Sequence, residues 1–211
     1  MNELRGVRKS TKESNIFLVD MHIHTINSHD SQITLEEILI ELSGIVNAIT
    51  ITDHDFIGNY SKANLKTLEE KYQIKVFTNS AEISTSDGDL LAYGISAAPS
   101  RMVAPEEIID LVHSEGGIIA AAHPFTPLGV GDLIYELEIN AIEINGSRPS
   151  IANQRAKEAA NLLNLPCIGG SDSHTRFDTA TCVTMFDKNL ETTDDLIKEI
   201  KKGNCTPIFL R

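Results

Sequence analysis

Cysteine is scarce in this chain of 211 residues, with Cys167, Cys182 and Cys205 the only three. An odd number without close spacing excludes a disulfide framework and a thiolate zinc site, leaving buried free thiols as the reading. Positive charge is scarce too: 18 Lys and Arg stand against 30 Asp and Glu, a net charge of −12. That balance excludes the broad basic face that would neutralise many nucleic-acid phosphates, so extended nucleic acid is not an expected partner, while one locally bound phosphate remains compatible. Long apolar runs are missing near the start, where Arg5, Arg8, Lys9 and Lys12 sit among polar residues, and this argues against a signal peptide or a membrane span. Residues 1–15 read as a flexible N-terminal arm and the protein as cytoplasmic, with no membrane partner. Repeats, low-complexity stretches and linkers are absent as well, so residues 16–211 read as a single domain.

What is present is alternation. Short runs rich in Ile, Val and Ala are separated by longer segments of helical period, the pattern of successive β-α units around a parallel sheet. About eight runs read as strands: 16–22, 48–54, 75–82, 90–95, 118–123, 141–145, 167–172 and 182–186. Between them Thr34 and Glu37 have capping-box spacing at the start of a helix to Ser43. Pro105 opens a helix to Glu115, with Gly116 and Gly117 just beyond its end. Residues 61–72, 151–163 and 193–202 also read as helices. An α/β fold of barrel-like kind fits this order.

The chemistry-bearing residues gather at the predicted strand ends. His22 and His24 are two apart on an extended chain, so both rings point to one face. Asp53, His54 and Asp55 end the second run, Glu82 the third and His123 the fifth, while Asp172 and His174 follow the seventh. In a parallel barrel these ends share one rim, and five of the seven histidines fall there. Singly each residue has a plainer role, since Asp30, Asp53 or Asp172 could cap a helix and Glu143 could sit in a buried polar network. Imidazole with carboxylate and no thiolate suits zinc, manganese or iron better than calcium.

Four strings, Asp20-Met-His-Ile-His-Thr25, Thr52-Asp-His-Asp55, Ala122-His-Pro124 and Gly170-Ser-Asp-Ser-His174, resemble in order the signature motifs of the PHP (polymerase and histidinol phosphatase) family of metal-dependent phosphoesterases. The resemblance runs from about Phe17 to Pro207. It implies a distorted TIM-like barrel of seven β-α units with two or three divalent ions at the C-terminal rim. It further implies His22, His24, Glu82 and Asp172 as ligands of a first ion, Glu82 as a bridge to a second ion near His123, and Asp30, His54 and His174 as the remaining site. Some relatives supply another histidine from the strand after the bridging glutamate; residues 89–96 contain none here, and Asp89 is the residue able to stand in.

The activity so implied is hydrolysis of a small-molecule or nucleotide phosphate ester by metal-bound hydroxide held near Glu82, with His54 or His174 assisting charge or proton movement. Arg148 and Arg176, each just past a strand-end polar residue, are the candidate phosphate-binding cations, with solvated loop arginine as the alternative for each. Asp20 is placed to orient a metal histidine or to make a strand-end hydrogen bond. His29 reads as an exposed loop residue and His113 as a helix C-terminal one. Two rival functions stand beside the phosphoesterase: an exonuclease-like phosphodiesterase on single-stranded nucleic acid, and a non-catalytic metal-stabilised binding module.

Overall fold

A computed structural model describes residues 16–211, so the arm expected at 1–15 lies outside the described residues. The strands are β1 (Phe17–Ile23), β2 (Ala48–Ile51), β3 (Lys75–Phe77), β4 (Ser80–Thr85), β5 (Gly88–Tyr93), β6 (Ile118–Ala121), β7 (Ala141–Asn145), β8 (Cys167–Gly170), β9 (Cys182–Phe186) and β10 (Thr206–Phe209). The helices are α1 (Leu35–Leu42), α2 (Lys62–Tyr72), α3 (Pro105–Ser114), α4 (Ser150–Leu163) and α5 (Thr193–Lys201), with a 3-10 turn at Gly131–Tyr135. All five predicted helices form. The capping box at α1 is complete, the Glu37 amide donating to Thr34 and the Thr34 amide to Glu37.

The strands form two five-stranded sheets, ordered β10-β9-β1-β2-β3 and β4-β5-β6-β7-β8. The expected run 75–82 is therefore two strands, and Glu82 sits inside β4 rather than at a strand end. The parallel expectation holds for β1-β2-β3 and β6-β7-β8, while β4, β5, β9 and β10 introduce antiparallel pairs. The cause at β4 and β5 is a two-residue connection, Ser86-Asp87, which leaves no chain for a crossover helix. Among the described residues no continuous ladder closes the two sheets into one ring. They meet instead at isolated parallel bridges, Ile23 with Ser173 and His54 with Glu82.

Packing follows this division. Phe17, Val19 and Met21 of one sheet meet Leu91, Tyr93, Ala120 and Ile168 of the other in one buried cluster, joined by Leu196 and Ile200 of α5. Ile38, Leu39 and Leu42 of α1 cover Ile49, Ile51 and Val76, and Ile108, Ile109 and Val112 of α3 pack with Ile83, Leu90 and Ile119. Truncating any of these large residues to Ala would cost about 2–5 kcal/mol. The two seams between sheets are where the ladder is interrupted, and they carry the chemistry-bearing side chains.

Candidate metal centre

At the first seam, β1 brings His22 and His24 side by side, their Nε2 atoms 3.0 Å apart. The far side of each ring is held. His22 Nδ1 donates to Glu143 Oε1 at 2.8 Å. His24 Nδ1 lies 2.9 Å from Ser28 Oγ, whose own proton goes to Asp53 Oδ1 at 3.1 Å, so the hydroxyl accepts from His24. With both Nδ1 atoms acting as donors, a neutral ring presents a bare lone pair at each Nε2.

Glu82 Oε2 lies 3.1 Å from both of these nitrogens, and Asp172 Oδ1 lies 3.5 and 3.4 Å away. All four residues are buried, with one donor atom of each within 4.8 Å of the others. Four acceptors therefore face one another, and Asp172 Oδ1 has no hydrogen-bond partner. Such an arrangement needs a cation, supplied as protons or as a metal ion. In the protein alone, burial opposes charging His22, but Glu143, Glu82 and Asp172 outweigh it and raise its pKa well above the usual imidazole value. Burial likewise pushes Glu82 up, while His22, His123 and His24 more than reverse this and hold it well below the carboxylate range. The donor set, two imidazoles and two carboxylates with the far ring nitrogens pinned, fits a divalent transition ion.

A second group shares Glu82. His123 Nε2 lies 3.0 Å from Glu82 Oε1, an oxygen without a hydrogen-bond partner, and buried Asp89 completes the trio. Burial, then the Glu82 charge, push the Asp89 carboxyl up to about 6. A third group lies toward solvent: His24, His54 and His174 converge, and Asp30 Oδ2 stands 3.5 Å from His54 Nε2 and 3.2 Å from His174 Nε2. His174 Nδ1 donates to the Asp172 carbonyl at 3.0 Å, so its Nε2 also presents a lone pair, and that atom is buried without a partner. His54 is kept neutral chiefly by burial, which lowers its pKa.

The backbone is strained here. His123 and Asp172 hold positive φ values of 28° and 54°, a conformation costing of order 1–3 kcal/mol for a residue with a side chain. Strong local bonds impose it: the His123 amide donates to Glu143 Oε2 at 2.7 Å and the Asp172 amide to the His22 carbonyl at 2.7 Å.

Every residue expected as a ligand, His22, His24, Asp30, His54, Glu82, His123, Asp172 and His174, thus lies in one contiguous cluster. Arg148 joins its edge by pairing with Asp172 Oδ2, and its Nε is buried without a partner. Arg176 instead pairs with Glu37 of the α1 capping box, and its side chain is 55% exposed. Asp20 takes the strand-end alternative, accepting backbone N–H bonds from Ser171, Ala180 and, more weakly, His22, and it touches no ring. His29 is exposed, its ring centroid 5.4 Å from that of His54, and His113 bonds Asn140 at 2.8 Å. The three thiols are free, with Cys182 buried.

Sequence reasoning placed Glu143 only in a generic polar network and gave Ser28 and Asn145 no role. Glu143 joins His22 to the His123 backbone, and Asn145 Nδ2 donates to both Glu143 and Asp172. The available signal was an acid alone in the apolar β7 string Ala-Ile-Glu-Ile-Asn, since a buried carboxylate in a strand needs partners.

Comparison with known proteins adds to this. Residues 150–205 match the family model described as PHP-associated. An uncharacterized protein of Methanocaldococcus jannaschii is 29% identical over 101 residues, 47% of this chain and 57% of that protein, so the match spans little more than half of the relative. Among solved structures, PsfC from Pseudomonas syringae superposes with a TM-score of 0.72 at 20% identity, covering 92% of each chain. A two-domain Bacteroides vulgatus protein, described as containing a predicted PHP-like metal-dependent phosphoesterase, superposes at 0.71 with 18% identity, over 92% of this chain and 65% of that one.

Fold and cluster together define a mixed α/β protein with candidate metal-ligand groups at the seams of two sheets. Within that class the chain resembles the PHP family in its four motifs, in its matched region 150–205 and in its fold. Among the described residues no helix is long and apolar enough to cross a membrane.

Proposed function

We propose that residues 16–211 form one catalytic domain, a metal-dependent phosphoesterase that hydrolyses a small-molecule or nucleotide phosphate ester. The observation that carries this reading is the convergence of four buried ligand-type atoms, His22 Nε2, His24 Nε2, Glu82 Oε2 and Asp172 Oδ1, on one space that must hold either protons or a metal ion. The bridges at both seams support reading the two sheets as halves of a distorted barrel.

Two or three zinc, manganese or iron ions would be held by His22, His24, Glu82 and Asp172, by Glu82 with His123, and by Asp30, His54 and His174. Bound there, such ions supply Lewis acidity and bring the pKa of a water molecule from 15.7 down to about 7. The chain's own groups do the rest. Glu82 presents one oxygen to each of two neighbouring groups and so fixes their separation. Where its lone pair is not taken by an ion, His54, whose pKa burial lowers, offers a ring nitrogen able to accept a proton on the open side of the cluster. Arg148, held against Asp172, aims a guanidinium at the site edge, where it suits a phosphate oxygen. Beside it a cleft of about 280 Å³, lined by Arg148, Asn153, Lys157 and Phe209 among others, has room for the organic part of a small ester.

The test strips the protein with chelator, restores manganese, zinc or iron separately, and assays phosphate monoesters, diesters and a nucleotide panel. Hydrolysis restored by metal, and reduced at least about 100-fold in Asp172→Asn together with metal content, is the expected result. Silence with every metal, ions being bound, would replace this reading with a binding module. Tight, salt-sensitive retention of single strands would favour the nuclease reading.

A further inference from the structure

The three ligand groups differ in donor chemistry. The solvent-side group is three imidazoles with the Asp30 carboxylate beside two of them, the inner one two imidazoles and two carboxylates, and the third is Glu82, Asp89 and His123, the one of the three in which carboxylates outnumber imidazoles. Asp89 is seated there by the backbone. It follows Gly88, whose φ is 130°, and a Cβ at Gly88 would meet the Gly129 carbonyl carbon at 2.6 Å. The Asp89 amide donates to the Leu128 carbonyl at 2.9 Å, so the loop after His123 lies directly against the β4-β5 hairpin. Asp89 is 7% exposed, and Glu82 Oε1 beside it has no hydrogen-bond partner. Two buried carboxylates this close repel unless a cation lies between them.

Carboxylate oxygens suit harder ions such as manganese, whereas imidazole suits zinc and iron. Any one site still binds zinc more tightly than manganese in absolute terms, so a preference of this kind shows as a difference between sites. We propose that Glu82, Asp89 and His123 form the subsite that discriminates least against manganese, in a centre whose other groups hold more imidazole and favour zinc or iron more strongly, so that protein loaded with manganese in excess carries unlike metals. The inference rests on the metal-dependent reading above, and Asp89 is the residue that sets the preference.

The full chain would be stripped, loaded from mixtures in which manganese stands in increasing excess over zinc, so that zinc's greater absolute affinity is offset, and desalted. Metal content would then be read by mass spectrometry and each ion placed by anomalous diffraction at the two absorption edges. Manganese beside Asp89, a manganese-to-zinc ratio about fivefold lower in Asp89→His, and one ion bound about 10–100-fold more weakly in Asp89→Asn are expected, with melting curves showing that both variants fold. An unchanged ratio in a folded, metal-loaded Asp89→His protein would overturn the inference alone. A wild-type chain that takes up no metal would overturn the phosphoesterase reading with it.

Discussion

The inner and outer parts of the candidate centre are built differently. His22 and His24 are fully buried, with each Nδ1 engaged by a residue that is itself held, Glu143 or Ser28. On the outer side, Asp30 has a side chain 43% exposed and His54 Nδ1 has no hydrogen-bond partner, and of these three residues His174 alone has a ring nitrogen tied to the backbone. The contrast assigns tenacity to the inner group and access to the outer one. A ligand fixed through its second nitrogen holds an ion without reorganising, while a half-open carboxylate leaves room for substrate.

Removing the inner support should have the largest effect. Glu143→Gln leaves a side chain of the same size but takes a charged acceptor from His22 Nδ1 or the His123 amide, and calorimetric titration should show metal affinity about 10–100-fold weaker. Asp30→Asn, on the outer side, should spare the inner ion; if the two variants lose the same ions to the same degree, the contrast between inner and outer groups fails.

Acidity sharpens the same comparison. Although burial opposes it, the surrounding carboxylates raise the pKa values of His22, His24 and His123, so the metal-free cluster keeps its protons to higher pH than a free imidazole would. A metal must displace those protons, and its affinity should therefore rise with pH, by about tenfold per unit for each proton released. Titrations in buffers of different ionisation enthalpy count the protons, and a pH-independent affinity would show that the nitrogens do not bind the ion.

The smallest effect separates the two arginines. Arg148→Met should raise KM or lower kcat by about 10-fold or more, because its guanidinium sits on Asp172. Arg176→Met should change kcat/KM by less than about twofold, because that guanidinium is spent on Glu37 at an exposed helix start. Equal losses would place Arg176 back in the substrate site.

The cluster was legible in the sequence because ligand residues must be imidazoles or carboxylates and must stand where strands end or break. His22, His24, His54, His123, Asp172 and His174 all obey that rule. Glu82 was found but misplaced, since residues 75–82 read as one strand, whereas a bend at Asn79 separates β3 from β4. The Asp87-Gly88 pair was the available sign of the hairpin that makes β5 antiparallel. Strand β10 was invisible because its four residues are partly exposed and lack a buried alternation. Glu143 escaped for a different reason: its role lies entirely in which atoms it touches, His22 Nδ1 and the His123 amide, which are 121 and 20 residues away.

The central claim is that the facing lone pairs of His22, His24, Glu82 and Asp172 surround a cation. Crystals of the stripped protein soaked in manganese test it directly by anomalous diffraction. A peak within bonding distance of His22 Nε2 and His24 Nε2, about 2.0–2.3 Å, with Glu82 and Asp172 completing the shell, is the result this account requires. Well-ordered side chains in the same positions with no peak between them, under conditions where the protein binds manganese elsewhere, would contradict it.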